Sequence, residues 1–121
     1  MKLFKRFILN RPAEKRLIYF YGVVAMNEQV WLLRDENGDL LLIEDVDNYP
    51  FLLPVWPSRG FAEMMAANLE ESYEAFKISL SIFLDDLLVD IENDGGTTLI
   101  FPNENDTIIQ TRDEIKEIIC D

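Results

Sequence analysis

Histidine is absent from this chain, and cysteine occurs once, at Cys120. The first absence removes the commonest general base, the Ser-His and Cys-His nucleophile pairs, and most zinc chemistry. The second excludes an internal disulfide and a Cys-based zinc site. Catalysis would have to rest on carboxylates, Lys, Tyr or a metal held by oxygen. The GxxxxGKS/T and GxGxxG phosphate loops are missing, as is the GxSxG nucleophile elbow. No apolar run approaches the roughly 20 residues of a membrane helix. Lys2, Lys5 and Arg6 precede Phe7-Ile8-Leu9 in the manner of a secretory signal, but that stretch is too short and Arg11 follows with no small-residue cleavage site. A cytoplasmic protein is expected.

Bases are scarce as well: 11 Lys and Arg stand against 23 Asp and Glu, for a net charge of −12. The imbalance is uneven. Residues 1–16 carry +5 and residues 17–121 carry −17. A body this acidic repels phosphate backbones, so neither nucleic acid nor a membrane is expected as partner. A protein with a basic surface is. The N-terminal bases, Arg16 among them, read as a solvated helix face. With 49% apolar and 28% charged residues in 121, the composition is that of a globular chain. One domain over 1–121 is expected, with 1–11 a peripheral basic lead, and it can bury roughly two-thirds of its unfolded surface.

Against these absences stands one strong positive signal. Residues 30–57 read VWLLRDENGDLLLIEDVDNYPFLLPVWP. Asn37-Gly38 predicts a two-residue type I′ hairpin, in which 30–36 and 39–45 pair as antiparallel neighbours. Both arms hold continuous apolar runs, as in strands covered on two faces, and a homodimer could supply cover for the spare face. Glu44, Asp45, Asp47 and Asn48 make an acidic turn, Tyr49-Pro50 breaks the chain, and 51–55 forms a third strand.

The flanks read as helices. Pro12 opens one that runs to about Asn27, with Leu17, Phe20, Tyr21 and Val24 on its core face. Ile18, Tyr19 and Val23 widen that face, and Gly22 suggests a close packing contact. Ser58 caps a helix over 59–71. Residues 76–78 form an extended link, and Ser79 caps a helix on which Leu80, Phe83, Leu84, Leu87, Leu88 and Ile91 recur at helical spacing. Asp86, Asp90 and Asn93 lie opposite, and Gly95-Gly96 ends the helix. Residues 97–102 and 107–110 pair around a turn at 103–106, and Thr111 with Glu114 forms a capping box. The fold class is α+β: a mainly antiparallel sheet built from two hairpins and packed against three to four helices.

Several of these segments together resemble a known family. They are Val30-Trp31 before the turn, Leu53-Pro54-Val55-Trp56-Pro57 leading to Ala62-Glu63, Ile78-Ser79-Leu80 leading to Phe83-Leu84, and Phe101-Pro102 before the last helix. In this order they resemble the small bacterial proteins grouped as the domain of unknown function 2750 family, over roughly residues 15–119. Leu87 departs from that pattern, where similar proteins are expected to carry another Trp. The resemblance implies a compact domain and no particular chemistry.

No catalytic residue, cofactor-binding residue or metal ligand is assigned. Asp35, Asn37 and Asp39 fit the first positions of an EF-hand loop, but Leu40 replaces its glycine and Val46 its closing glutamate. Ser79 is an N-cap rather than a nucleophile. Cys120 lies among anions that raise its pKa. Trp31 and Trp56 are core anchors, each indole N–H satisfied by a carbonyl. The candidate binding surface comprises Trp56, Arg59 and Tyr73, with Asp86 and Asp90 on the acidic face. The expected function is a non-enzymatic interaction module, such as an immunity- or antitoxin-like inhibitor of a basic partner. The alternative is a small-ligand pocket at Trp56 with Arg59 and Tyr73; a carboxylate- or Mg²⁺-dependent enzyme ranks last.

Overall fold

The computed structural model describes residues 8–46, 48–103 and 108–119. Helix α1 (Ala13–Asn27) follows Pro12, whose extended backbone suits the cap position. It buries Phe20, Tyr21 and Val24, with Leu17 and Tyr19 half-buried. Three expectations fail along it. Ile18 is 67% exposed, and a methyl on Gly22 would meet no neighbour. Arg16, expected in solvent, is buried. Its Nε–H donates to the Phe101 carbonyl at 3.0 Å and Nη1–H to the Arg11 carbonyl at 2.7 Å. Phe101 has φ +45°, a left-handed conformation costly for an aromatic residue and held here from both sides. Its N–H is bound to the Val55 carbonyl.

Strand β1 (Gln29–Arg34) does not pair along its length with the arm beyond the turn. Its partner is β4 (Glu74–Ser79), from Gln29 opposite Ser79 to Arg34 opposite Glu74. The segment expected to be a mere link is therefore a full strand. The turn forms, but with three loop residues. The Asp35 carbonyl accepts the Gly38 N–H, and Asp35 Oδ1 accepts those of Asn37 and Asp39. Gly38 alone takes positive φ, +86°, which is a type I turn with a glycine bulge instead of type I′. After the Arg34–Leu40 bridge the second arm departs, and the freed edge of β1 receives the backbone of Trp56.

The remaining strands form a mixed sheet in the order β2 (Ile43–Val46), β3 (Tyr49–Val55), β5 (Thr97–Ile100), β6 (Ile108–Gln110). All neighbours are antiparallel except β3 and β5. Val46 faces Tyr49 across a tight hairpin in which Asn48 has φ +72°; Asp47 lies outside the described residues. Pro50 does not break the chain but sits inside β3, before the β5 pairing begins at Leu52. A proline is tolerated where no ladder bond needs its nitrogen. The hairpin of β5 and β6 forms as expected; most of its turn falls outside the described residues.

Helix α2 (Arg59–Ala66) starts after Ser58, whose side chain makes no capping bond, and it ends five residues before the expected limit. Helix α3 spans 80–93, with a π-helical segment, Phe83–Leu87, between two α-helical ones. Ser79 caps it, accepting the Ile82 N–H at 3.2 Å, and it buries Phe83, Leu84, Leu88 and Ile91. After it, Gly96 is obligatory, because a side chain there would overlap the Phe51 ring. Helix α4 (Arg112–Ile119) opens on the capping box: Glu114 Oε1 accepts the Thr111 N–H at 2.8 Å, and Thr111 Oγ1 accepts the Glu114 N–H at 3.2 Å. The fold is α+β. Its main core joins Phe20, Trp31, Leu53, Trp56, Phe61 and Phe101 to the buried side of α3.

Candidate functional site

Helix α2 and the turn after it stand between two concavities. Arg59, Glu63 and Ala66 follow one another at helical spacing on α2 and, with Leu69 and Glu70 from the turn after it, line an open basin of about 520 Å³. Glu71, Tyr73 and Glu74 line it as well. The same rim continues through Tyr73 and Glu74 to Asp35 and Glu36. Arginines are present but engaged. The Arg59 guanidinium lies over the Trp31 ring at 4.8 Å. That of Arg34 lies over Phe76 at 4.5 Å and donates to Glu74 Oε1 at 2.7 Å. Among the described residues, Glu63, Glu70 and Glu71 have no Lys or Arg within ion-pair distance. The Tyr73 hydroxyl points to Glu71 Oε2 at 3.5 Å. Its pKa is raised above 10.0, by partial burial first and by the Glu71 and Asp35 carboxylates next.

The second concavity lies across α2. Met65 and Leu69 face Leu41, Ile43, Pro54 and Leu99 around a cavity of about 270 Å³. Trp56 lines it too, with Pro102 and Asn103 at its edge. Pro54 and Leu99 are register partners of β3 and β5, so the wall is one face of the mixed sheet. Trp56 itself is fully buried. Its indole Nε1–H meets no acceptor among the described residues, contrary to the carbonyl expected for it. A buried donor left so costs about 1–3 kcal/mol.

The expected surface therefore divides. Arg59 and Tyr73 share the basin, Trp56 belongs to the cavity, and no single pocket holds all three. Asp86 and Asp90 are exposed on α3, apart from both concavities. Neighbouring Asp85 pairs with Arg112 Nη2 at 3.7 Å, and Arg112 Nε–H donates to the Leu84 carbonyl. No group of three or more carboxylates placed to hold a metal occurs among the described residues, and the Asp35 carboxylate is spent on its own turn. Cys120 lies outside the described residues. Glu63, Glu70, Met65 and Leu69 were missed as site residues. For Glu63 and Met65 the signal was present in the period of α2; Leu69 and Glu70 lie in the turn beyond it, where no helical period applies.

Residues 17–116 match the family model described as "Protein of unknown function (DUF2750)". The chain belongs to that family. No curated protein matches it. No helix among the described residues is long and apolar enough to cross a membrane.

Proposed function

We propose that this member of the DUF2750 family is a non-enzymatic binding module that takes a basic segment of a protein partner in the Tyr73 basin. One observation carries the reading. Glu63, Glu70 and Glu71 line the same basin as the Tyr73 phenol, while the nearby arginines are held by Trp31, Phe76 and Glu74. Carboxylates that outnumber the nearby arginines and stand, as Glu63, Glu70 and Glu71 do among the described residues, outside any ion pair attract Lys and Arg and speed encounter. The phenol ring offers such cations a π face and a rigid contact. An immunity- or antitoxin-type inhibitor that covers a basic active site is one form of such a module, acting by occlusion alone.

The test is fluorescence anisotropy with a labelled nona-arginine peptide at low and moderate salt. Affinity should fall about tenfold or more between ~50 and ~300 mM salt, as screening shortens the reach of the carboxylates. Glu70→Gln with Glu71→Gln should weaken binding several-fold. Asp86→Asn with Asp90→Asn makes the same charge change on α3 and should leave affinity close to that of the native protein. Equal losses for the two pairs, or binding indifferent to salt, would refute the basin as the site.

A further inference from the structure

Building on the basin as a site for basic segments, we infer that the bound segment is extended, adds as a strand to the outer edge of β4, and carries Lys or Arg at alternate positions. The edge follows from the phase of the backbone. Trp31 exchanges two hydrogen bonds with Trp56, and the Leu33 carbonyl accepts the Leu41 N–H, so both residues turn their backbones away from β4. Backbone direction alternates along a strand. Val30, Leu32 and Arg34 therefore bond to β4, through their register partners Ile78, Phe76 and Glu74. The Leu80 N–H on the Glu28 carbonyl, one step beyond, keeps the same phase. Ala75 and Lys77 thus point their N–H and C=O groups outward, and nothing among the described residues bonds to them. Lys77 is exposed and Ala75 half-buried. An unpaired edge of this kind is a template for another extended chain.

This edge runs into the basin. Glu74 and Ala75 line it together with Glu63 and Glu70, and Arg59, one turn before Glu63, lies over Trp31, the register partner of Lys77. An added strand sends every second side chain to that face of the sheet. Bases at i and i+2 then meet the glutamates, and the residues between them do not. Main-chain bonds to Ala75 and Lys77 hold any extended sequence, and the alternate bases select among sequences. Lys77 stands away from Glu74 along the edge, so the bases belong toward Glu74. A second copy of this chain fits poorly. Pairing β4 with itself about Phe76 would place the two Lys77 side chains diagonally on one face and bring together two bodies of net charge −12.

The test uses the native protein and the labelled hexapeptide Arg-Val-Arg-Val-Arg-Val, with two isomers N-methylated at every arginine or at every valine. Charge, length and methyl count are the same in both isomers. In an added strand every second N–H faces β4, so methylation of that set abolishes pairing and methylation of the other leaves it intact. By fluorescence anisotropy one isomer should bind like the unmethylated peptide and the other about tenfold or more weakly; which one fails gives the direction of the added strand. A block peptide of the same composition, Arg-Arg-Arg-Val-Val-Val, should bind several-fold more weakly than the alternating one. In the saturated complex, amide exchange at Ala75 and Lys77 should slow about tenfold or more, while Phe76, already bonded to β1, stays as it was. Equal affinities for the two isomers, equal affinities for block and alternating peptides, or unchanged exchange at Ala75 and Lys77 would overturn the added strand, while nona-arginine binding would still uphold the basin. So would a hexapeptide that fails to bind where nona-arginine succeeds. If nona-arginine does not bind, the basin reading falls and the added strand falls with it.

Discussion

Arg59 and Glu63 on α2, with Glu70 from the turn after it, line an open acidic basin; Met65 on another side of the helix lines an apolar cavity beside Trp56, and Leu69 in the turn borders both. All come from one short stretch: the 3.6-residue period separates Glu63 from Met65, and the turn after the helix places Leu69 and Glu70. The basin keeps its carboxylates in water, where a charge is cheap to hold and reaches a partner from a distance. Among the described residues no charged side chain lines the cavity, and Asn103 is the one polar residue there besides the buried Trp56. The difference follows from which stripe the mixed sheet covers. It would vanish if α2 were not firmly seated.

Phe61 seats it. The side chain is fully buried, with ring centroids 4.7 Å from Phe101 and 5.8 Å from Tyr19, both edge-on. Phe61→Ala should cost about 3–5 kcal/mol, measured by urea unfolding, and lower Tm by roughly 10–20 °C. It should also weaken nona-arginine binding at the basin. A cost below about 1 kcal/mol would mean that other contacts hold the helix, and that the two concavities do not share a wall.

Trp56→Phe separates the concavities energetically. It removes indole contacts, which destabilises, and deletes the orphaned donor, which stabilises. The two effects offset one another, so the net loss should stay under about 1.5 kcal/mol. Peptide binding at the basin should be unchanged. A loss as large as that of Phe61→Ala would indicate that the N–H has an acceptor after all.

Local features of this fold were legible in the sequence, and distant pairings were not. The Ser79 cap and the Thr111–Glu114 box involve residues three apart, so the chain announces them. The turn at Asn37-Gly38 was equally visible, but its type was set by the Asp35 carboxylate, which binds two N–H groups and leaves positive φ to Gly38 alone. Strand β4 was hidden because its partner β1 lies about 45 residues earlier and no turn joins them. Arg16 was misjudged for the same reason, since its acceptor at Phe101 is 85 residues away. Arg59 and Tyr73 were legible as a pair. Their separation from Trp56 was not, because it depends on which side of α2 meets the sheet.

Tyrosine ionisation distinguishes the acidic rim from the interior. Burial, with Glu114 second, pushes the Tyr21 pKa far above 10.0, and its hydroxyl donates to Gln110 Oε1 at 3.1 Å. The unfolded chain releases this proton near pH 10 while the folded chain retains it. The stabilisation is therefore complete below pH 10 and is lost as pH rises from there toward the folded value. Tyr73 should ionise before Tyr21 yet after a free tyrosine, and Glu71→Gln should bring it back toward 10.0. Ultraviolet titration of the native protein and of Tyr73→Phe reads both. No downward movement in Glu71→Gln would remove Glu71 from the field at the phenol.

The smallest effect expected on stability comes from Arg34, and it sharpens the comparison most. Arg34 and Glu74 are paired at 2.7 Å but 41% and 66% exposed, and pairs so open to water contribute roughly 0.2–1 kcal/mol. Arg34→Gln should hence change the unfolding free energy by less than about 1 kcal/mol, part of it from the lost contact with the Phe76 ring. It also removes a positive charge beside the basin and frees the Glu74 carboxylate. Nona-arginine should then bind severalfold tighter at low salt, and the gain should disappear at high salt. A gain that survives high salt would mean that Arg34 acts on the basin through packing instead of through its charge.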